Sequence, residues 1–372
     1  MKNKILLIIL FSFLFYPSGV SYAQNIVGEK TEEIFKAQIV EIIEYKNTTI
    51  NDGGSLIQQK LKLEGLERKW EGREIIFDGT EYDVISSPEY KLGDKVLVNY
   101  SLDVQGNDMF YVIGFVRQGV IYWIAFLFAI IVIAIGRFKG LRALIVLALT
   151  FLVILKFIIP KILAGSNPLL ITIVGSLFIL ILAIYITEGL KRNSTIAIFS
   201  ILISLIITGL LSFWFTAMTK LTGFASDEAM YLTGMADGNL NIKGLLLAGI
   251  IIGALGVLDD VVVSQIALVN ELKLSNPELS KRHLYSKSMK VGVSHLSSMV
   301  NTLFLAYAGA ALPLLILFSI KQPPFFTFNQ VLNNEIIATE IVRTLSGSIG
   351  LVLAVPLATL VAVQFIKIRK VN

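Results

Sequence analysis

The chain has 372 residues, of which 55% are hydrophobic and 16% charged, with a net charge of +5. An average soluble domain is about 25% charged, and here the apolar surplus collects in runs of about 20 residues, the length that crosses a hydrocarbon core. The absence of cysteine excludes disulfides, thiol catalysis and thiolate metal sites, and only two histidines, His283 and His295, argue against a multi-histidine metal cage.

The N-terminus reads as a signal peptide over residues 1–23, with an uncleaved first membrane helix as the alternative. Lys2 and Lys4 form a basic start, Ile5 to Phe15 an apolar stretch, Pro17 and Gly19 break the helix, and Ser21-Tyr22-Ala23 precedes a cleavage point at Gln24. Residues 30–116 differ in character. They are polar and alternate at period two, as in Phe35-Lys36-Ala37-Gln38-Ile39 and Val96-Leu97-Val98-Asn99-Tyr100, which marks half-buried strands. Turn signals at Asp52-Gly53-Gly54, Glu71-Gly72, Asp78-Gly79 and Leu92-Gly93-Asp94 separate them, and Asp78-Gly79 suggests a hairpin. About six short strands fit a small OB- or SH3-like barrel. With no aromatic platform and mixed charge, nucleic acid is not an expected partner.

From residue 118 to 366 the chain reads as a transmembrane helical domain. Spans are expected at about 118–136, 141–160, 168–187, 194–219, 244–269, 297–320 and 341–366. The fold class is therefore mainly α: a polytopic bundle of about seven helices behind an extracytoplasmic β-domain. With that domain outside, the inside segments carry Arg137 and Lys139, then Lys191 and Arg192, then five basic residues between Lys273 and Lys290, then Lys367, Arg369 and Lys370. The positive-inside bias and the signal peptide thus give one topology, with a cytoplasmic C-terminus.

Few ionisable residues fall inside the spans, so each is a functional candidate. Lys156, Glu188 and Arg343 lie near span ends and read as interfacial. Asp259 and Asp260 lie deep in the fifth span, where each costs about 2.5–3.5 kcal/mol on insertion scales. Gly249, Gly253, Gly256, Asp260 and Ser264 follow at steps of three or four, a stripe expected to face a tight helix interface. The sixth span carries His295, Ser298, Asn301 and Thr302 before a kink expected at Pro313, and the seventh carries Ser346, Gly350, Ala354 and Ala358 with Pro356. Pro277 could open the helix that precedes the sixth span. The loop 322–340 reads as a re-entrant or surface helix.

The segments Gly253-Ala254-Leu255-Gly256-Val257-Leu258-Asp259-Asp260-Val261, His295-Leu296-Ser297-Ser298-Met299-Val300-Asn301-Thr302-Leu303, Ala306-Tyr307-Ala308-Gly309-Ala310 and Glu340-Ile341-Val342-Arg343 through Gly350 resemble the YibE/YibF-like membrane protein family. The resemblance covers roughly residues 120–366. It implies a multi-pass protein of the bacterial cell membrane and hands over no substrate.

The leading reading is a transporter or permease for a small solute or ion. Asp259 and Asp260 would bind a cation or proton, and Ser264, His295, Ser298, Asn301 and Thr302 would complete the site, with no cofactor. Gly249, Gly253, Gly256, Ser346 and Gly350 would pack the helices. No P-loop is present, so no ATPase lies within the chain. An intramembrane enzyme, carboxylate- or metal-dependent, is weaker, because both aspartates sit on one helix. A non-transporting assembly subunit is the other rival. Expected partners are the lipid bilayer and the solute, with a homo-oligomer or a protein docked through the β-domain left open.

Overall fold

A computed structural model describes residues 33–49, 55–81, 88–103, 105–235, 240–320 and 326–366. The expected signal peptide, the Asp52-Gly53-Gly54 turn, Pro323-Pro324 and the basic residues after Ile366 lie outside these. The chain divides into two compact units that meet between Ile131 and Val132, and each is described by itself.

In the first unit five strands form one antiparallel sheet: β1 (Glu33–Thr49), β2 (Ser55–Gly65), β3 (Glu74–Asp78), β4 (Lys95–Leu102) and β5 (Asp108–Phe115), in the order β3-β2-β1-β4-β5. The period-two alternation does what pleating requires: Phe35, Ala37 and Ile39, Leu61 and Leu63, and Val96 and Val98 all point into one core. Two register shifts, at Ile39/Glu41 and Ile42/Glu44, interrupt the β1–β2 ladder. Such bulges bend the strand that carries them, and β3 and β5 come into contact at the open side of a half-barrel. Trp70, on a one-turn 3-10 helix, stacks on Phe35 with ring centroids 5.0 Å apart and meets the edge of Phe110 at 5.3 Å. Gly65 is required beneath it, because a Cβ there would run into the Trp70 carbonyl.

The Asp78-Gly79 pair does not make a tight hairpin directly. β3 ends at Asp78 and the chain enters a 3-10 turn, Gly79–Glu81, while β3 pairs with β2. The Asp78 carboxylate holds that turn, accepting from the Thr80 amide and hydroxyl and from Lys60 Nζ. The run that would form the second arm begins in residues outside the description.

The rest is helical: α1 (Gln118–Val153), a π turn (Ile154–Ile158), α2 (Ile159–Leu163), α3 (Pro168–Thr187), α4 (Arg192–Met218), α5 (Asp227–Met235), α6 (Ile242–Ser275), α7 (Lys281–Ala310), α8 (Leu312–Ser319), α9 (Phe328–Asn333) and α10 (Glu335–Phe365). Among the described residues five helical runs are long and apolar enough to cross a membrane, and six if the bent pair α7–α8 counts as one span. The first run, Gln118–Leu163, has 46 residues and is broken at Arg137, whose φ of 49° and ψ of −130° are not helical. A Cβ on Gly140 would sit on the Val132 carbonyl. Those residues would be about 12 Å apart in a straight helix, so the chain doubles back there.

Local sequence sets the remaining boundaries. Asn167 caps α3 ahead of Pro168, and Asn241 caps α6 by accepting from the Gly244 amide at 2.8 Å. Helix α7 starts later than Pro277. Ser280 accepts from the His283 amide, and Pro277 to Leu279 instead form a loop whose carbonyls at 277 and 279 accept from Lys273 Nζ. The hydroxyl of Ser280 satisfies an orphan amide, which Pro277 has no means to do. Pro313 does break the sixth span, with α8 bent 70° from α7, whereas α10 runs through Pro356 as one helix.

The bundle packs around α6, which touches α3, α4, α7 and α10. Its tightest seam joins α4 to α10. Ser200, Ser204, Thr208, Ser212 and Thr216 form a buried stripe at steps of four on α4, and Thr208 meets Gly350 so closely that a Cβ at 350 would collide with its Oγ1. Ser346, Ala354 and Ala358 are buried on the same α10 stripe. Four of the α4 hydroxyls donate to the carbonyl four residues back, so the polar stripe costs no unpaired groups at those positions.

Candidate functional site

Asp259 lies midway along α6, about 25 Å from either end at 1.5 Å per residue. The helix turns one face, Ile251, Ala254, Leu258, Val262 and Gln265, into the core. Asp259 flanks that face and is half-buried. Its Oδ1 is shut off from solvent and accepts no hydrogen bond. Asp260, its neighbour in sequence, adds a second carboxylate beside it. An ionised carboxylate oxygen so placed is desolvated without a described hydrogen bond to offset the cost.

Beyond Asp259 the same face continues through Val263, Ile266, Ala267 and Asn270, and these residues line a cavity of about 210 Å³. Glu188 at the end of α3, Lys191, Asn193 and Ser194 at the start of α4, and Glu271 supply its polar wall. Glu188, which reads from sequence as an interfacial residue, is thus part of the site. Its position directly after an apolar span was the available signal.

Asp260 behaves differently from Asp259. Among the described residues, most of its small-residue stripe has no helix packed on it. Gly249, Gly256, Asp260 and Ser264 are exposed, and a Cβ at 249 or 256 would meet open space. The reason is that α3, α4 and α10 take the aliphatic face of α6, leaving the glycine face opposite. Gly253 alone of that stripe is covered, by the Tyr307 hydroxyl of α7. Ser346 and Gly350 pack in the α4–α10 seam.

On α7, His295, Ser298, Asn301 and Thr302 are all exposed. The Thr302 hydroxyl donates to the Ser298 carbonyl at 3.0 Å. Helices α6 and α7 form an antiparallel hairpin, fixed at two heights: Gly292 against the Gln265 amide, and Gly253 against Tyr307. Asp259 therefore lies one helical turn before the cavity that Glu188 lines, and Asp260, Ser264, His295, Ser298, Asn301 and Thr302 are exposed on α6 and α7.

Two further polar residues tie the helices together. Gln265, 3% exposed, donates to the Ser288 carbonyl at 3.1 Å and to Thr359 Oγ1 at 2.8 Å, tying α6 to α7 and α10. A polar side chain on the apolar face of α6 was its signal. Glu335 accepts from the amides of Thr222 and Gly223 and the hydroxyl of Thr222, clamping the start of α10 to the loop after α4. No local pattern marks it, because its partners lie more than 110 residues away. Near Tyr307, Glu340 and Arg343 form an ion pair at 2.9 Å. Among the described residues no group of three or more histidine, aspartate or glutamate side chains could hold a metal ion.

A family model described as YibE/F-like protein matches residues 124–368. No curated protein and no solved structure matches the chain.

Proposed function

The chain belongs to the YibE/F-like protein family, and from that premise we propose that it is a transporter or permease for a small solute or ion, with Asp259 as its cation- or proton-binding group. The observation that carries this reading is the Asp259 Oδ1, buried and unpartnered at mid-helix, one helical turn from a cavity walled by Glu188 and Glu271. Ionised carboxylates at that depth are costly, and in membrane proteins they mark ion paths. A bound proton or cation removes the cost, so occupancy of Asp259 is coupled to the energy of its surroundings.

In this reading the chain crosses seven times. The run Gln118–Leu163 is about 69 Å long, more than twice the hydrocarbon thickness, and doubles back at Arg137 as a hairpin of two spans. The β-domain, OB-like, lies outside the cytoplasm of a bacterial cell behind a cleaved signal peptide, and the C-terminus lies inside. The polar cavity then opens to the cytoplasm beside Lys191 and Arg192, in keeping with the positive-inside bias. Its carboxylates draw a cation toward Asp259, and Lys191 offers a counter-charge for a solute that carries a carboxylate or phosphate. Gly253, beneath Tyr307, and the break at Pro313 supply the places where the helices can shift.

Reconstituted vesicles test the assignment. Asp259→Asn keeps the shape and abolishes the exchangeable charge, so proton- or cation-coupled flux of the transported solute is expected to vanish. Flux at the wild-type rate in Asp259→Asn vesicles would remove that residue from the mechanism.

A further inference from the structure

The outer side of the α6–α7 hairpin is unlike a surface made for lipid. Asp260, Ser264, His295, Ser298, Asn301 and Thr302 are all exposed on its two helices, and Asp260 and His295 stand within about one helical turn of each other in height. Asp260 is about 22 Å along α6 from its end at Ser275, and His295 about 21 Å along α7 from its start at Lys281. Both helices continue well beyond that height, so neither residue is at a helix end where it could snorkel to water. Lipid tails offer no hydrogen bonds, and an exposed aspartate at such depth is expensive. Alongside these groups, Gly249 and Gly256 present bare backbone to open space.

We infer that this face is the contact between two copies of the chain, related by a two-fold axis along the membrane normal. Such an axis lays α6 of one copy on α7 of the other. It places Asp260 opposite the partner's His295 and, reciprocally, His295 opposite the partner's Asp260, an isologous arrangement. The occupant is a second copy because the face is complementary to itself: a carboxylate and an imidazole within about one helical turn in height, with glycines at 249 and 256 to admit a neighbouring helix. Asn301 stands about 30 Å along α7, level with Gly256 at about 29 Å from the end of α6, so its side-chain amide falls where the glycine leaves room. The same contact accounts for Gly249 and Gly256, the members of the small-residue stripe that no described helix of the chain covers. This assignment stands apart from transport and holds whether or not Asp259 carries a cation.

The chain has no native cysteine, so single cysteines report contacts cleanly in the full-length protein in native membranes. Chains bearing Gly256→Cys co-expressed with differently tagged chains bearing Asn301→Cys are expected to form a mixed disulfide dimer on mild oxidation. Leu210→Cys, exposed on α4, is expected to stay monomeric. Single-molecule photobleaching in dilute vesicles gives a second readout that needs no crosslink. Asp260→Asn is expected to weaken association about three- to twenty-fold, the range of interhelical polar contacts in membranes, and the exchange Asp260→His with His295→Asp is expected to restore it. Three outcomes overturn the inference: a single bleaching step at all dilutions, dimers that crosslink through Leu210→Cys and not through the mixed pair, or an Asp260→Asn chain that dimerises like wild type. A monomer in which Gly256→Cys joins Ile124→Cys of the same chain would also overturn it, since the first helical segment would then cover the face.

Discussion

Gly350→Ala adds one methyl at the point where α10 crosses α4. The new Cβ would sit against Thr208, closest to its Oγ1. That hydroxyl is not free to swing away, since it donates to the Ser204 carbonyl at 2.8 Å and is fully buried. Relief must come from losing that bond or from parting the two helices along a seam that Ser212, Ser346 and Ala354 also fill. Overpacking of a well-packed core costs about 1–3 kcal/mol, and the loss should fall in that range. Thr208→Ala alone gives up an intrahelical bond and a methyl contact, at about 1 kcal/mol. On the Thr208→Ala background the added methyl of Gly350→Ala finds the vacated volume. The double variant should therefore be more stable than the sum of the singles by at least about 1 kcal/mol, a coupling expected of residues in direct contact. Reversible unfolding in mixed micelles, followed by helicity, measures all four proteins. Additive losses would refute the packing argument, because they would mean that Thr208 and position 350 do not share space.

Glu335→Ala removes one acceptor from three donors at Thr222 and Gly223 and should cost about 1–2 kcal/mol, with amide exchange at 222 and 223 rising while that of the α4–α10 seam stays slow. In the β-domain, Asp78 is held down to about 2 by its hydrogen bond from Lys60 and then by Thr80. Its folded value lies below the unfolded one, so its contribution is complete above about pH 4 and is lost as pH falls toward 2. About a third of each side chain is exposed, and solvent screening limits the gain to about 1 kcal/mol or less. Amide exchange around β2 and β3 in the full chain should accelerate in that window, and Asp78→Asn should remove the acid step; an unchanged step would assign it to other carboxylates.

What was legible in the sequence was whatever repeats locally. Alternation at 35–39 and 96–98 gave inward and outward faces because pleating has period two, and the span 168–187 coincides with α3 because Asn167-Pro168 is a cap and a stop in one. The stripe Ser346, Gly350, Ala354, Ala358 was legible for the same reason. Its partner was not. The Ser200-Ser204-Thr208-Ser212 stripe has the same spacing, but in isolation hydroxyls at steps of four read as nothing more than tolerated polar residues, and only the fold reveals that each bonds its own helix and faces small residues of α10. Sites made between distant segments, such as Glu335 on Thr222, leave no periodic trace at all.

The aspartate pair shows where helical periodicity stops short. Spacing alone put Asp260 on a stripe of glycines and took small residues to mean a packed seam. Small residues admit a neighbour, but they do not say whose. Helix α6 already has neighbours from its own chain on its aliphatic face, and its glycine face is left over. The two carboxylates, adjacent in sequence and about 100° apart around the helix, are therefore sent to different environments. Asp259 turns toward α3 and the cavity with Glu188, where a buried charge can be cancelled by an ion or a proton. Asp260 is exposed, and on the dimer inference it meets a second copy of the chain. On these two proposals one dipeptide serves both the interior of the bundle and its outer face, and substitutions at 259 and 260 should separate flux from assembly.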